Sequence, residues 1–179
     1  MSLKTKTDGF GHRHERLMRR AYSGMLIGAI LWCGAIIAAP LLAGMKEPFA
    51  SAGSGLYAFF GPVCHQFDTH SFHLAGAKFG VCIRCFSIYA SFTLGLMAYP
   101  FVRHIQRFPM RDGAMVMIAM APMAIDVLLS MAGLHSSTTV SRVITGSVFG
   151  LTAAIVLTPI GIEGIYQVFM QSTHTSHQR

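Results

Sequence analysis

The hydrophobic positions of the chain fall into four long apolar runs separated by polar segments. Each run matches the roughly 20 helical residues that are needed to cross the hydrocarbon layer of a membrane. The runs cover residues 22–44, 81–102, 113–134 and 143–162. This pattern predicts an all-α integral membrane protein with four transmembrane helices packed as a four-helix bundle.

The segments between the runs define the predicted organisation of the chain. Residues 1–21 form a basic tail, residues 22–162 a four-helix membrane domain that includes a long first loop at 45–80, and residues 163–179 a second tail. A cleaved signal peptide is the competing interpretation of the first run. It is disfavoured because a run of about 23 residues exceeds the roughly 7 to 15 apolar residues of such a peptide.

The composition agrees with a lipid environment, because 53% of the residues are hydrophobic and only 12% are charged. The orientation follows from Lys and Arg, since short loops rich in these residues remain cytoplasmic. With both termini inside, ten Lys and Arg residues lie inside and three outside, with Arg84 at the membrane boundary. Three of the ten lie between the second and third runs, at Arg103, Arg107 and Arg111. The chain is therefore predicted to lie in the inner (plasma) membrane, with both termini cytoplasmic and loop 45–80 on the outer, periplasmic side.

The net charge of +7 does not indicate a nucleic-acid partner. The basic residues lie where membrane topology and anionic lipid headgroups already account for them. The basic tail also lacks the interleaved aromatic residues of a base-stacking surface. The predicted partners are the lipid bilayer and other subunits of a membrane complex.

The first loop contains two local structures. The sequence SGLYAFFGP predicts a short interfacial helix that ends at Gly61 and Pro62. The following segment, SFHLAGAKFGVCIRC, alternates apolar and polar residues around a glycine-containing turn and predicts a hairpin that leads into a C-x-x-C motif.

The Cys and His residues of this loop are candidate metal ligands. Two cysteines in a C-x-x-C motif can converge on one ion, and a further Cys and a His can complete a tetrahedron. The candidate ligands are Cys64, His65, Cys82 and Cys85, with His70 or His73 as an alternative to His65. Thiolate and imidazole ligands favour zinc or iron. Two alternatives remain open: a structural disulfide between Cys64 and Cys82 or Cys85, and a redox-active C-x-x-C motif whose thiolate Arg84 stabilises.

An acidic residue, Asp126, falls inside the third run. A carboxylate at this depth is costly and needs a partner or a cavity. The predicted direction of the third helix and its rise of about 1.5 Å per residue place Asp126 in the same leaflet as Arg84 and Arg142. These three residues therefore form a candidate polar pocket beneath the Cys/His loop. Either a buried ion pair that fixes helix register or a binding site for a proton or a quinone headgroup would explain them.

Two G-x-x-x-G patterns occur in the apolar runs, GMLIG at Gly24–Gly28 and GSVFG at Gly146–Gly150. The pattern allows helix backbones to approach closely. With 18 glycines in the chain, packing within the chain is the favoured interpretation over dimerisation.

Several of these motifs together resemble the domain of unknown function 2085 family of small bacterial and archaeal membrane proteins. The resemblance is carried, in order, by CHQ at residues 64–66, SF at 71–72, CIRCFSIY at 82–89, ID at 125–126 and RVITG at 142–146. It implies a membrane protein with an outer Cys/His cluster and does not supply an activity. The chain departs from the family pattern at Ser87 and Val127, which stand at usual glycines, and at His70, which stands at a usual arginine.

The predicted function is that of a membrane binding or assembly protein, with a structural metal or a disulfide above the polar pocket. The alternative is an enzyme similar to the four-helix quinone-linked thiol oxidases. Such enzymes relay the disulfide through a second cysteine pair, and only Cys64 remains for this role. A transporter is disfavoured because no internal repeat is present, and haem because no C-x-x-C-H motif occurs.

Overall fold

The computed structural model describes residues 4–102, 113–134 and 137–176. Its helices are α1 (Lys4–Ala43), α2 (Phe49–Phe60), α3 (Ile83–Val102), α4 (Gly113–Met131) and α5 (Thr139–Ser176). Between α2 and α3 lie a 3-10 turn (Asp68–His70) and a two-stranded antiparallel hairpin, β1 (His73–Leu74) and β2 (Ala77–Lys78). All four predicted apolar runs are mostly helical, and the short helix and the hairpin that the first loop predicts are both present.

Two helices extend well beyond the predicted runs. Helix α1 begins at Lys4 and α5 continues to Ser176, so much of both predicted tails is helical. The tail before residue 22 contains no proline, and continuing an existing helix costs far less than starting one. The three arginines of the second predicted cytoplasmic loop, Arg103, Arg107 and Arg111, lie outside the described residues.

Two helical segments are long and apolar enough to cross a membrane by length and composition. They are Glu15–Ala43, with 29 residues, and Thr139–Ile165, with 27 residues, while Val116–Met131 is a shorter apolar helix. Large apolar side chains point outward on every long helix; examples are Leu31, Phe101, Leu128 and Ile144. Exposed apolar surface of this extent is typical of a protein whose outer face meets lipid.

Helices α3 and α5 run parallel and pack closely through glycines. A Cβ atom at Gly146 would lie 2.8 Å from the carbonyl oxygen of Arg84 and 3.1 Å from the Cβ atom of Ser87, and one at Gly150 would overlap Ser91 and Ile88. The GSVFG motif therefore serves packing within the chain, as predicted. Within the part of the chain that the structure describes, no atom beyond the helix's own backbone and the chain neighbours would lie within 4 Å of a Cβ at Gly24 or Gly28. Although Ser87 replaces a usual glycine, the close approach is retained because Gly146 faces it.

Helix α1 runs antiparallel to α3. The Tyr22 hydroxyl donates a hydrogen bond to the Leu96 carbonyl at 2.7 Å, and the side chains of Cys33 and Thr93 lie 3.4 Å apart. This direction brings the C-terminal part of α1 to the start of α3. There the loop of residues 45–80 docks, because Ile36, Phe60 and Val81 form a buried apolar core with Cys64.

Candidate three-cysteine site and polar cleft

Cys64 is held at the end of α2 by a tight turn. Its backbone N–H donates to the Phe60 carbonyl at 3.0 Å, and Phe60 itself is fully buried against Trp32 of α1. The Cys64 side chain is 6% exposed. The aromatic packing beneath α2 thus fixes the position of the first sulfur.

Cys82 and Cys85 lie at the beginning of α3. The Cys82 carbonyl accepts the N–H of Phe86 at 2.9 Å, so Cys82 immediately precedes the helix and Cys85 lies in its first turn. Residues three apart share one face of a helix, so both sulfurs point the same way. The hairpin that leads into this turn is anchored to α1, where the Gly80 N–H donates to the Ile36 carbonyl at 3.2 Å.

The sulfurs of Cys64, Cys82 and Cys85 all lie within 4.8 Å of one another. We call these residues the three-cysteine cluster. All three are free thiols in the structure. Cys82 lies 18 positions after Cys64, so the folding of the intervening loop, and not sequence proximity, brings them together.

The Cys64 sulfur is the acceptor of two backbone N–H groups. Cys82 donates at 3.1 Å and Gln66 at 3.5 Å. The thiols of Cys82 and Cys85, followed by these backbone donors, lower the pKa of the Cys64 thiol well below its ordinary value, although burial opposes this. The site therefore favours a thiolate at Cys64, which is the form that binds metals and attacks disulfides.

Gln66 braces the turn that carries Cys64. Its backbone is in the left-handed region, with φ of 50°, which is uncommon for a residue other than glycine. Its side-chain amide donates to the Tyr57 carbonyl at 2.7 Å, and Lys78 Nζ donates to the Gln66 carbonyl at 2.7 Å. These bonds tie α2, the Cys64 turn and strand β2 together.

The candidate histidines lie outside the three-cysteine cluster. Exposed His65 stacks on the Phe67 ring with 5.9 Å between centroids, and the His70 ring meets the same phenyl edge to face at 6.0 Å. His73 Nε2 lies 3.3 Å from Asp68 Oδ1, within hydrogen-bond distance. Among the described residues the cluster thus contains three ligands and no histidine.

The predicted polar pocket is formed by a hydrogen-bonded network. Arg84 pairs with Asp126, and Ser137 Oγ links the rest: it donates to Asp126 at 2.8 Å and accepts from Arg84 at 3.2 Å and from Arg142 Nε at 3.1 Å. Asp126 is 8% exposed. The network joins the starts of α3 and α5 to α4.

One cleft of about 520 Å³ connects the cluster with this network. Its wall includes all three cysteines, Arg84 and Arg142, together with His65 and His70. Desolvation, then the charges of Arg142 and Arg84, lower the pKa of His70. The cleft is therefore a positively charged space that opens beside the thiols.

Sequence reasoning did not identify three residues of the site. Ser130 and Ser137 line the cleft, but a serine in an apolar helix or in a Ser/Thr-rich loop carries no distinguishing pattern. Gln66 could have been found, because it is the third residue of the CHQ motif that carries the family resemblance.

Comparison with known proteins gives two matches. The model of a family described as "predicted membrane protein (DUF2085)" matches residues 64–156, a span that contains the cluster and the polar network. An uncharacterized protein of Methanocaldococcus jannaschii is 34% identical over 155 residues, covering 85% of this chain and 99% of the relative. No solved structure matches significantly.

Proposed function

Because the chain belongs to the DUF2085 family of predicted membrane proteins, we propose that it is a membrane binding or assembly protein whose three-cysteine cluster holds a structural zinc or iron ion. The ion would fasten the outer loop to α3, directly above the Arg84–Asp126 network. Lipid and other subunits of a membrane complex would be the partners of the four-helix domain.

The single observation that carries this proposal is the mutual closeness of three sulfurs. A tetrahedral zinc ion bound at about 2.3 Å holds its thiolates about 3.8 Å apart, and all three sulfurs lie within 4.8 Å of one another. A disulfide needs about 2.05 Å between its sulfurs and would use only two of the three. A three-way cluster is therefore better suited to an ion than to one disulfide.

The hydrogen bonds to Cys64 support the same assignment. A metal ligand must be a thiolate, and the backbone donors of Cys82 and Gln66 stabilise that form. Outer bonds of this kind orient ligands and tune the affinity for the metal. His65 and His70, which line the cleft, remain the candidate fourth ligands, and a non-protein ligand in the cleft is the alternative.

The membrane arrangement that we propose has four spans. Besides α1 and α5, helix α3 has 20 residues, which span about 30 Å at 1.5 Å per residue, and α4 has 19. The parallel direction of α3 and α5 and the antiparallel direction of α1 fit both termini on one side. Counting Lys and Arg assigns that side to the cytoplasm, so the cluster would face the periplasm.

A second candidate function is thiol–disulfide exchange linked to a quinone. It is favoured by one observation: Cys82 and Cys85 both line an open cleft beside Arg84. Oxidation of the two thiols to a disulfide would release two electrons and two protons, which a quinone would accept to become a quinol. Among the described residues no second cysteine pair lies near the cluster to relay the disulfide.

The proposal is tested on protein purified in detergent, by elemental analysis and thiol counting on one sample, repeated with Cys64→Ser, Cys82→Ser and Cys85→Ser. We expect about one zinc or iron ion per chain, and each variant should lose metal and stability together because a closed site needs every ligand. Cys33→Ser is the matched control, since Cys33 lies in α1 beside Thr93, and it should retain the metal.

The opposite pattern would contradict the metal assignment. If Cys82→Ser and Cys85→Ser kept normal stability without metal while a mixed disulfide with another protein accumulated, the thiol-exchange function would replace it. Absence of metal with only two free thiols in the unfolded wild type would indicate a structural disulfide.

A further inference from the structure

The cleft beside the three-cysteine cluster carries an excess of positive charge on its wall. Its lining includes two guanidinium groups, from Arg84 and Arg142, and two imidazoles, but no Asp or Glu among the described residues. The one carboxylate bonded to this network, Asp126, is 8% exposed and lies behind Arg84. One carboxylate cannot neutralise two arginines.

Several donors on this wall are not saturated. Arg142 donates through Nε to Ser137, and within the described residues no ion pair of Arg142 is formed. Among the described residues, Arg84 Nε and Ser130 Oγ have no hydrogen-bond partner although they are buried, and both residues line the cleft. Unpaired buried donors are costly, so an acceptor in the cleft would be stabilising.

Helix direction adds to this field. Arg84 is the second residue of α3 and Arg142 the fourth of α5, so two parallel helices begin at the cleft. A helix N-terminus carries a partial positive charge that favours anions and disfavours cations. Arginines in both first turns add to this positive charge, and the Asp126 carboxylate offsets only part of it, so a further negative group in the cleft would be stabilising.

We propose that this cleft is a binding site for an oxyanion, a carboxylate or phosphate group held by Arg84 and Arg142 beside the cysteines. Guanidinium groups bind such planar or tetrahedral oxyanions through paired N–H donors. The cleft volume of about 520 Å³ exceeds that of one such group, so the anion would be one part of a small molecule or the headgroup of an anionic lipid. The inference goes beyond the metal assignment and does not depend on it.

The test measures thermal unfolding of the detergent-purified protein by the fluorescence of Trp32, which is the chain's one tryptophan. Sodium phosphate or sodium acetate is titrated against sodium chloride at constant ionic strength. A separate arm adds phosphatidylglycerol or phosphatidylcholine to the micelles. Each titration is run on metal-loaded and on chelator-stripped protein, with wild type, Arg142→Gln, Arg142→Lys and, as a distant exposed control, Arg19→Gln.

We expect a saturable stabilisation that Arg142→Gln weakens about tenfold in affinity, as for the loss of one charge-assisted contact. Arg142→Lys should retain part of the response and Arg19→Gln all of it. A response to phosphate or acetate identifies a soluble ligand, and a response to phosphatidylglycerol alone identifies a lipid headgroup; both support the site. Circular dichroism of Arg142→Gln establishes that the variant is folded.

Two results would overturn the site. One is that no oxyanion raises the thermal stability above that in chloride, in metal-loaded or in chelator-stripped protein. The other is that Arg142→Gln and Arg142→Lys are folded and respond to the oxyanions as wild type does. If the protein holds no metal but the Arg142-dependent response persists, the metal assignment fails while the oxyanion site stands.

Discussion

The ion pair between Asp126 and Arg84 provides a quantitative test of the polar network. Replacing Asp126 by Ala removes the carboxylate and leaves the guanidinium of Arg84 hydrogen-bonded to Ser137. The Arg84 side chain is 19% exposed and that of Asp126 8%, so water can solvate the stranded cation only in part. Breaking a buried pair by removing one partner costs about 3 to 5 kcal/mol.

The expected cost of Asp126→Ala is therefore about 3 to 5 kcal/mol in the free energy of unfolding. That is a large fraction of the roughly 5 to 15 kcal/mol that stabilises a typical folded protein. Arg84→Met should be damaging for the reciprocal reason. The double variant should cost less than the sum of the two single variants, because neither charge is then left alone.

The assay is chemical unfolding in detergent, followed by Trp32 fluorescence, for wild type, both single variants and the double variant. Glu163→Ala is the control, because Glu163 is an exposed acid towards the other end of α5, and it should change stability by about 0.5 kcal/mol or less. A double variant as unstable as the sum of the single ones would refute the reasoning, since it would show no coupling between the two charges.

Three further predictions follow from the fold and the cleft. After removal of any metal, a membrane-impermeant thiol reagent added from the periplasmic side should label the three-cysteine cluster; labelling only after the cytoplasmic side is opened would contradict the proposed orientation. Gly150→Ala should destabilise the protein by about 1 to 3 kcal/mol, because the added methyl overlaps α3. The control Gly24→Ala, whose methyl meets open space among the described residues, should be neutral or stabilising. Equal effects of the two substitutions on thermal unfolding would argue against the close helix contact. The lowered pKa of His70 means that this residue binds fewer protons folded than unfolded, so its contribution to stability declines as the pH falls below about 6.5. Arg142→Gln should raise the pKa of His70 as measured by NMR, and an unchanged pKa would contradict the charged cleft.

The helices could be predicted from the sequence because their signal is local. Runs of about 20 apolar residues, the Gly61–Pro62 stop and the glycine turn before strand β2 each determine structure within a few residues. The helix ends at Lys4 and Ser176 were not predicted, because a polar segment without proline can continue a helix as readily as it can form a non-helical tail.

The site was predictable only in part, because its contacts are distant in sequence. Cys82 and Cys85 are predictable as a pair from their spacing, and Asp126 needed a basic partner because it falls inside an apolar run. That Asp126 pairs with Arg84 and not with Arg142 depends on how α3 and α4 pack. The spacing of these residues in the sequence does not show this packing. The orientations of His65 and His70 depend in the same way on the Phe67 ring, which lies between them.

The most direct test of the metal assignment is the X-ray absorption spectrum of the purified protein at the zinc and iron edges. We expect one metal ion whose first shell contains three sulfur atoms at about 2.3 Å together with one lighter ligand, and the Cys64→Ser variant should contain no bound metal. A first shell of nitrogen and oxygen alone, or a protein without zinc and iron whose thiols are free, would contradict it.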